Sequence, residues 1–181
     1  MKPIPKPSPN EYAPYAAMYV DLVPNDGRIL QHLADNFKAV QELVGTLSAE
    51  QLLHRYAPGK WTIKEVLVHM VDDERIYAYR AMCFARGEQQ ALPGFEQEDY
   101  AANSGANERS VESIMEEYEA VRRSTIALFS SFSDEALARW GNANGYMCAV
   151  RGLLYHLAGH ELHHLGIIKE KYLSGQSSLL S

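Results

Sequence analysis

Apolar residues along most of this chain recur at helical rather than strand spacing. Ile29, Leu30, Leu33, Phe37, Val40 and Val44 fall three and four positions apart, the repeat of one helix face. They predict a first helix beginning near Pro24-Asn25-Asp26-Gly27. Ser48-Ala49-Glu50-Gln51 is a capping-box pattern and predicts a short helical turn. Pro58-Gly59 is a break, after which Thr62-Ile63-Lys64-Glu65 repeats the capping box and opens a long helix reaching about Arg86. A third helix, from about Ser110 to Phe132, turns Val111, Ile114, Met115, Tyr118, Val121, Thr125 and Leu128 inward. Ser133-Asp134-Glu135-Ala136 starts another turn and Gly141-Asn142-Ala143-Asn144-Gly145 breaks it. The last helix covers about 149–173. No stretch shows a convincing strand, so four long helices joined by short additional helical turns predict an all-α helix bundle.

The segments outside that pattern are two. Residues 1–24 hold six of the eight prolines, with Tyr12, Tyr15 and Tyr19 among them. Proline fixes φ and removes a donor, which predicts an extended N-terminal arm, and the aromatic residues predict that it packs across the domain. Residues 87–107 carry Gly, Pro, Asn and acidic residues with no apolar period, a connection long enough to be functional or mobile.

At 181 residues and 46% apolar content the chain fits one domain, residues 1–181, with a substantial core. Its formal charge of −6 and lack of any Lys/Arg cluster predict no nucleic-acid or anionic-membrane partner. Cys83 and Cys148 lack paired spacing and fit a reducing compartment. The N-terminus lacks the apolar core of a signal peptide, and no stretch reaches the roughly 18 apolar residues of a membrane span. A cytoplasmic protein is expected.

The densest chemistry is His156-Leu157-Ala158-Gly159-His160-Glu161-Leu162-His163-His164, where four of the seven histidines fall within nine residues. Histidine is the commonest metal-ligating side chain. At about 100° per residue, Leu153, Leu154, Leu157, Leu165, Ile167 and Ile168 define the buried arc of this helix. His160 and His164 lie mid-arc, one above the other, while His156 and His163 lie at its edge, partly solvated or supporting the inner pair. On the second helix Ile63, Val66, Met70 and Phe84 mark the inside, and His69, Asp73 and Arg80 share nearly the same row. His69 meeting His160 and His164 gives three imidazoles and leaves coordination positions open, the pattern of a catalytic site. Asp73 either orients a ligand or binds through water, or pairs with Arg80.

His160-Glu161-Leu162-His163-His164 also satisfies the zinc-peptidase signature H-E-x-x-H. Its extended form needs Gly and His where Ile167 and Glu170 stand, and no edge strand offers to bind a peptide. Glu161 nevertheless stays a candidate base on another substrate. Cys83 has no activator near it in sequence and reads as core packing.

Trp61-Thr62-x-x-Glu65-Val66-Leu67-x-His69, followed by Gly159-His160-Glu161-x-His163-His164, resembles the DinB-like (YfiT-type) superfamily, as does the segment from Glu11-Tyr12-Ala13-Pro14-Tyr15 to Leu22-Val23-Pro24. The resemblance spans nearly the whole chain. It implies a four-helix bundle in up-down-down-up order, with residues 87–107 as its long crossover. It implies a divalent metal, nickel or zinc, on three histidines matching His69, His160 and His164, and a homodimer. Some relatives are thiol S-transferases, so the reading is a metal-dependent enzyme transferring a low-molecular-weight thiol cosubstrate to a small electrophilic substrate. Asp73 and His163 would orient or exchange protons, and Arg80 would meet an anionic substrate group. The alternatives are a metal-dependent hydrolase of a small molecule and a non-catalytic, stress-associated metal- or ligand-binding protein.

Overall fold

The computed structural model describes residues 2–174. Its helices are α1 (Ala17–Val20), α2 (Ile29–Gly45), α3 (Ala49–Leu52), α4 (Ile63–Ala85), α5 (Gln97–Asn103), α6 (Val111–Ser131), α7 (Asp134–Leu137) and α8 (Val150–Ile167). The capping boxes form as the sequence predicts. The Glu65 carboxylate accepts from the Thr62 backbone N–H at 2.7 Å while Thr62 Oγ1 accepts from Glu65 N–H at 3.1 Å, and Ser48 and Gln51 do the same at α3. Such reciprocal caps satisfy donors that the first helical turn leaves orphaned. No helix among the described residues is long and apolar enough to cross a membrane.

Side-chain contacts fix the order of the bundle. Glu74 of α4 meets Arg122 of α6, and Thr62, at the start of α4, meets Asn107, just before α6, so α4 and α6 run parallel. Phe37 of α2 packs on Tyr118, and the Leu33 carbonyl accepts from Arg122, so α2 runs against α6. His69 and Tyr77 of α4 meet His164 and His156 of α8 respectively, so α8 runs against α4. The result is up-down-down-up, and parallel α4 and α6 require the chain between them to return the length of the bundle. Residues 86–110 make that crossover and contain α5, a helix that the lack of apolar period did not suggest.

A strand pair is the main addition to the expected all-α pattern. β1 (Trp140–Ala143) and β2 (Tyr146–Ala149) pair antiparallel, with Trp140 opposite Ala149 and Ala143 opposite Tyr146. Asn144 and Gly145 sit at φ 53° and 80°, as a two-residue hairpin turn requires. Leu92 of the crossover joins this edge through Leu92 N–H to the Asn142 carbonyl at 2.9 Å.

The N-terminal arm is only partly extended. Beyond its first residues it folds into two 3-10 turns (Pro9–Glu11 and Pro14–Ala16) and α1, and it packs tightly: Ile4, Ala16, Val20 and Val23 are buried. Two glycines on α8, seven residues apart, permit the approach. A Cβ at Gly152 would lie 2.2 Å from the Glu11 carbonyl oxygen, and one at Gly159 2.0 Å from that of Tyr19. Arg151 clamps the arm by donating to both Glu11 carboxylate oxygens at 2.7 Å.

Two apolar clusters fill the bundle, one around Phe84, Phe129, Leu154 and Tyr155 and the other around Leu67, Ile114, Tyr118 and Ile168. Between them lies a buried polar layer to which each bundle helix contributes: Asn36, Asp73 and Glu74, Arg122, and His160 and Glu161.

Gly159→Ala is expected to lose about 1–3 kcal/mol by overpacking and to make the arm susceptible to protease. Gly166→Ala is the control: nothing lies within 4 Å of its added Cβ, so a small gain from helix propensity is expected. Urea denaturation of both variants checks this, and equal stabilities would refute the close-approach account.

Candidate metal centre

Antiparallel packing sets the face of α4 carrying His69, Asp73, Tyr77 and Arg80 against the face of α8 carrying His156, His160 and His164. The 3–4 residue spacing stacks each row along its helix. His160 Nε2 lies 3.1 Å from His69 Nε2 and 3.0 Å from His164 Nε2, and one nitrogen from each ring falls within 4.8 Å of the others.

The donor set fits a divalent cation. Asp73 Oδ2 lies 3.4 Å from His160 Nδ1 without a hydrogen bond to it, and its charge favours the tautomer with the ring proton on Nδ1 and the Nε2 lone pair facing the other two imidazoles. One in-plane lone pair cannot serve two neighbouring N–H groups well, and His164 Nδ1 has no hydrogen-bond partner. A cation among the three nitrogens would satisfy lone pairs that otherwise face each other. Burial lowers the pKa of all three imidazoles, that of His160 to about 3, despite the opposing Asp73 charge. They are neutral, and so able to ligate, at physiological pH.

Asp73 is buried without reaching Arg80, which removes the ion-pair reading of that row. Burial raises the Asp73 carboxyl, but the facing His160 and His156 outweigh it and hold it well below the usual carboxylate range. Its Oδ2 is also 3.6 Å from His156 Nε2, so one carboxylate sits behind two imidazoles, as in carboxylate–histidine–metal arrangements. His156, expected at the helix edge, is 4% exposed. The arm covers that edge: the Tyr19 ring stands 5.0 Å from His156 and 5.3 Å from both His160 and His163. Tyr77 stacks on His156 at 4.0 Å, and Trp61 tilts over His69 at 4.8 Å.

The other sequence candidates are placed differently. Glu161 turns away from the three imidazoles toward α6, where Tyr118 Oη donates to it at 2.6 Å and the Arg122 guanidinium lies 3.0 Å away. Arg122 also binds Glu74, so Glu161 belongs to a buried ion-pair cluster. His163 is half-buried beside Tyr19, outside the triad. Arg80 lies beyond Tyr77, its guanidinium carbon 5.0 Å from that ring. Tyr19, Tyr77 and Trp61 are site walls that the histidine pattern did not single out.

Two clefts reach the centre. One of about 350 Å³ includes Tyr19, Asp73, Tyr77, Arg80, His156 and His160 in its lining. The other, about 170 Å³, approaches His164 beside Trp61 and Tyr172. Gln97 of α5 lines both, so the crossover runs over the imidazoles.

Acid is expected to destabilise the metal-free protein before it titrates carboxylates. Folded imidazoles with lowered pKa stay neutral while those of the unfolded chain protonate near pH 6.5, so the unfolded state binds more protons below about that pH. Stability is fully present above that value and is lost as pH falls. The Tm of metal-free protein, followed by circular dichroism, is expected to decline steadily from about pH 6.5 to about pH 4.5, and a flat profile would contradict buried neutral histidines.

The comparisons with known proteins agree with this architecture. A family model described as DinB superfamily matches residues 32–168. The chain is 30% identical over 131 residues, 71% of this chain and 74% of the relative, to a proposed metal-dependent hydrolase of Oceanobacillus iheyensis. Among solved structures it resembles YfiT of Bacillus subtilis, described as a probable metal-dependent hydrolase with an unusual four-helix bundle topology. The TM-score is 0.70 at 16% identity, covering 91% of this chain and 90% of that one. The chain belongs to the DinB superfamily.

Proposed function

We propose that this protein is a metal-dependent hydrolase of a small molecule, with His69, His160 and His164 holding one divalent ion. The observation that carries the reading is three imidazole nitrogens, from buried His69 and His160 and half-buried His164, converging beside a cleft, with three protein ligands leaving room for water and substrate. The relatives described as metal-dependent hydrolases favour hydrolysis over transfer. Imidazole donors suit zinc or nickel, and also copper and iron.

A bound divalent ion would supply Lewis-acid polarisation and lower the pKa of a coordinated water. The chain's own residues prepare the site around it. The Asp73 charge favours the His160 tautomer whose Nε2 lone pair faces inward. His156 lines the cleft with Nε2 toward Asp73, so the ionised carboxylate orients its ring at the cleft wall. Burial keeps the phenols of Tyr19 and Tyr77 protonated, so both remain hydrogen-bond donors along the cleft wall. Tyr19 and Trp61 flank the imidazoles and limit bulk water.

Thiol transfer would use the same open position, with a thiol in place of water, and an assay separates the two. Zinc- or nickel-loaded protein is expected to hydrolyse activated esters or amides without added thiol and to fall to background in His164→Ala. Asp73→Asn is expected to weaken metal binding about 10–100-fold. Turnover only with bacillithiol, mycothiol or glutathione would instead assign a transferase. No turnover by metal-loaded protein in either assay would leave a binding protein.

A further inference from the structure

The proposed hydrolysis leaves one buried charge of the cleft unexplained. Arg80 is 3% exposed and carries a guanidinium charge into the cleft wall. Its only hydrogen bond among the described residues runs from Nη2 to the Pro93 carbonyl at 2.8 Å, and no carboxylate lies within ion-pair distance of it. The other deeply buried arginine, Arg122, shows what such a group needs: two carboxylates, Glu74 and Glu161, and the Leu33 carbonyl. A guanidinium this deep, with one neutral acceptor and its remaining donors open only to the cleft, gains from a charged partner arriving there.

The missing partner has a place to sit. Arg80 lines the same 350 Å³ cleft as His156 and His160. Neither acidic residue of that lining pairs with it in this structure: Asp73 faces the histidines, and Glu96 is exposed and has no ion pair among the described residues. We propose that Arg80 is the anion-recognition residue of this cleft and that the substrate carries an oxyanionic group, a carboxylate or phosphate, at the end remote from the reacting bond.

The structure also sets the substrate's length. From Arg80 to the centre the wall runs through Tyr77 and His156 to His160, in ring-to-ring or charge-to-ring steps of 5.0, 4.0 and 5.6 Å. Seven residues of helix separate Asp73 from Arg80, about 10 Å of rise. A molecule meeting both ends is extended, with its anion on the order of 10 Å from the bond that breaks. The position of the reacting end rests on the proposed metal centre, whereas the anion site rests on Arg80 alone.

Inert α,ω-dicarboxylates from succinate to sebacate serve as rulers, titrated calorimetrically into zinc-loaded protein beside monocarboxylates of matched length. Affinity is expected to peak at an intermediate length, with the best diacid about tenfold or more tighter than its monoacid, the usual worth of a charge-assisted pair. Arg80→Gln should abolish that advantage, and Arg80→Lys should keep part of it. If Arg80→Gln does not fold, the wild-type series and Arg80→Lys decide. Diacids binding no better than monoacids at every length, or a peak unchanged in Arg80→Gln, would overturn the proposal. In metal-free protein, Arg80-dependent monoacid binding should persist without a length optimum. If zinc is never taken up, the hydrolase reading fails while this arm still decides the anion site.

Discussion

A polar layer through the middle of an apolar bundle is the constraint on which the rest of the structure depends. Each of the four long helices places polar side chains at this level, and none can be left without partners at acceptable cost. The layer separates into two halves. On one side Glu74, Arg122, Glu161 and Tyr118 pair with one another as an ion-pair cluster that leaves Glu161 Oε2 without a hydrogen bond. On the other, Asp73 and the imidazoles of His69, His156, His160 and His164 face each other, and this half stays incomplete with protein atoms alone. The division follows from neighbouring residues on two helices: Asp73 and Glu74 of α4, like His160 and Glu161 of α8, point to opposite halves.

This layout reconciles stability with an open site. The ion-paired half lends rigidity near the imidazoles while contributing no ligand, so Glu161 can be adjacent in sequence to His160 and remote from its chemistry. The arm acts similarly from outside. Gly152 and Gly159 let its backbone lie directly on α8, which carries the Tyr19 ring over His156, His160 and His163. α8 is therefore buried nearly all round by a segment that begins more than a hundred residues earlier.

What the sequence revealed and what it hid follow from the range of the interactions. Caps and helical periodicity are local, so the starts at Ser48, Thr62 and Ser110 were legible. The inward placement of His69, His160 and His164 was legible too, because apolar neighbours on the same helices marked the buried arc. His156 falls at the edge of a helical wheel, which knows nothing of an arm packed on that edge. The partners of Glu161 lie on α6, tens of residues away, and no spacing rule points to them. Asn144-Gly145 is a hairpin signal, but its flanks, Trp-Gly-Asn-Ala and Tyr-Met-Cys-Ala, are short and lack clear alternation, so from sequence it reads as a break. The up-down-down-up order came from family resemblance, and here it follows from which residues of α2, α4, α6 and α8 touch.

The central claim is that three imidazoles from two antiparallel helices form one divalent-metal site. Metal content by plasma mass spectrometry, on untagged wild type beside His160→Ala, tests it most directly. The account predicts one ion per chain in the wild type and none in the variant. Untagged wild type that is empty and takes up no added zinc or nickel would contradict it and make the histidine row a structural feature of the core.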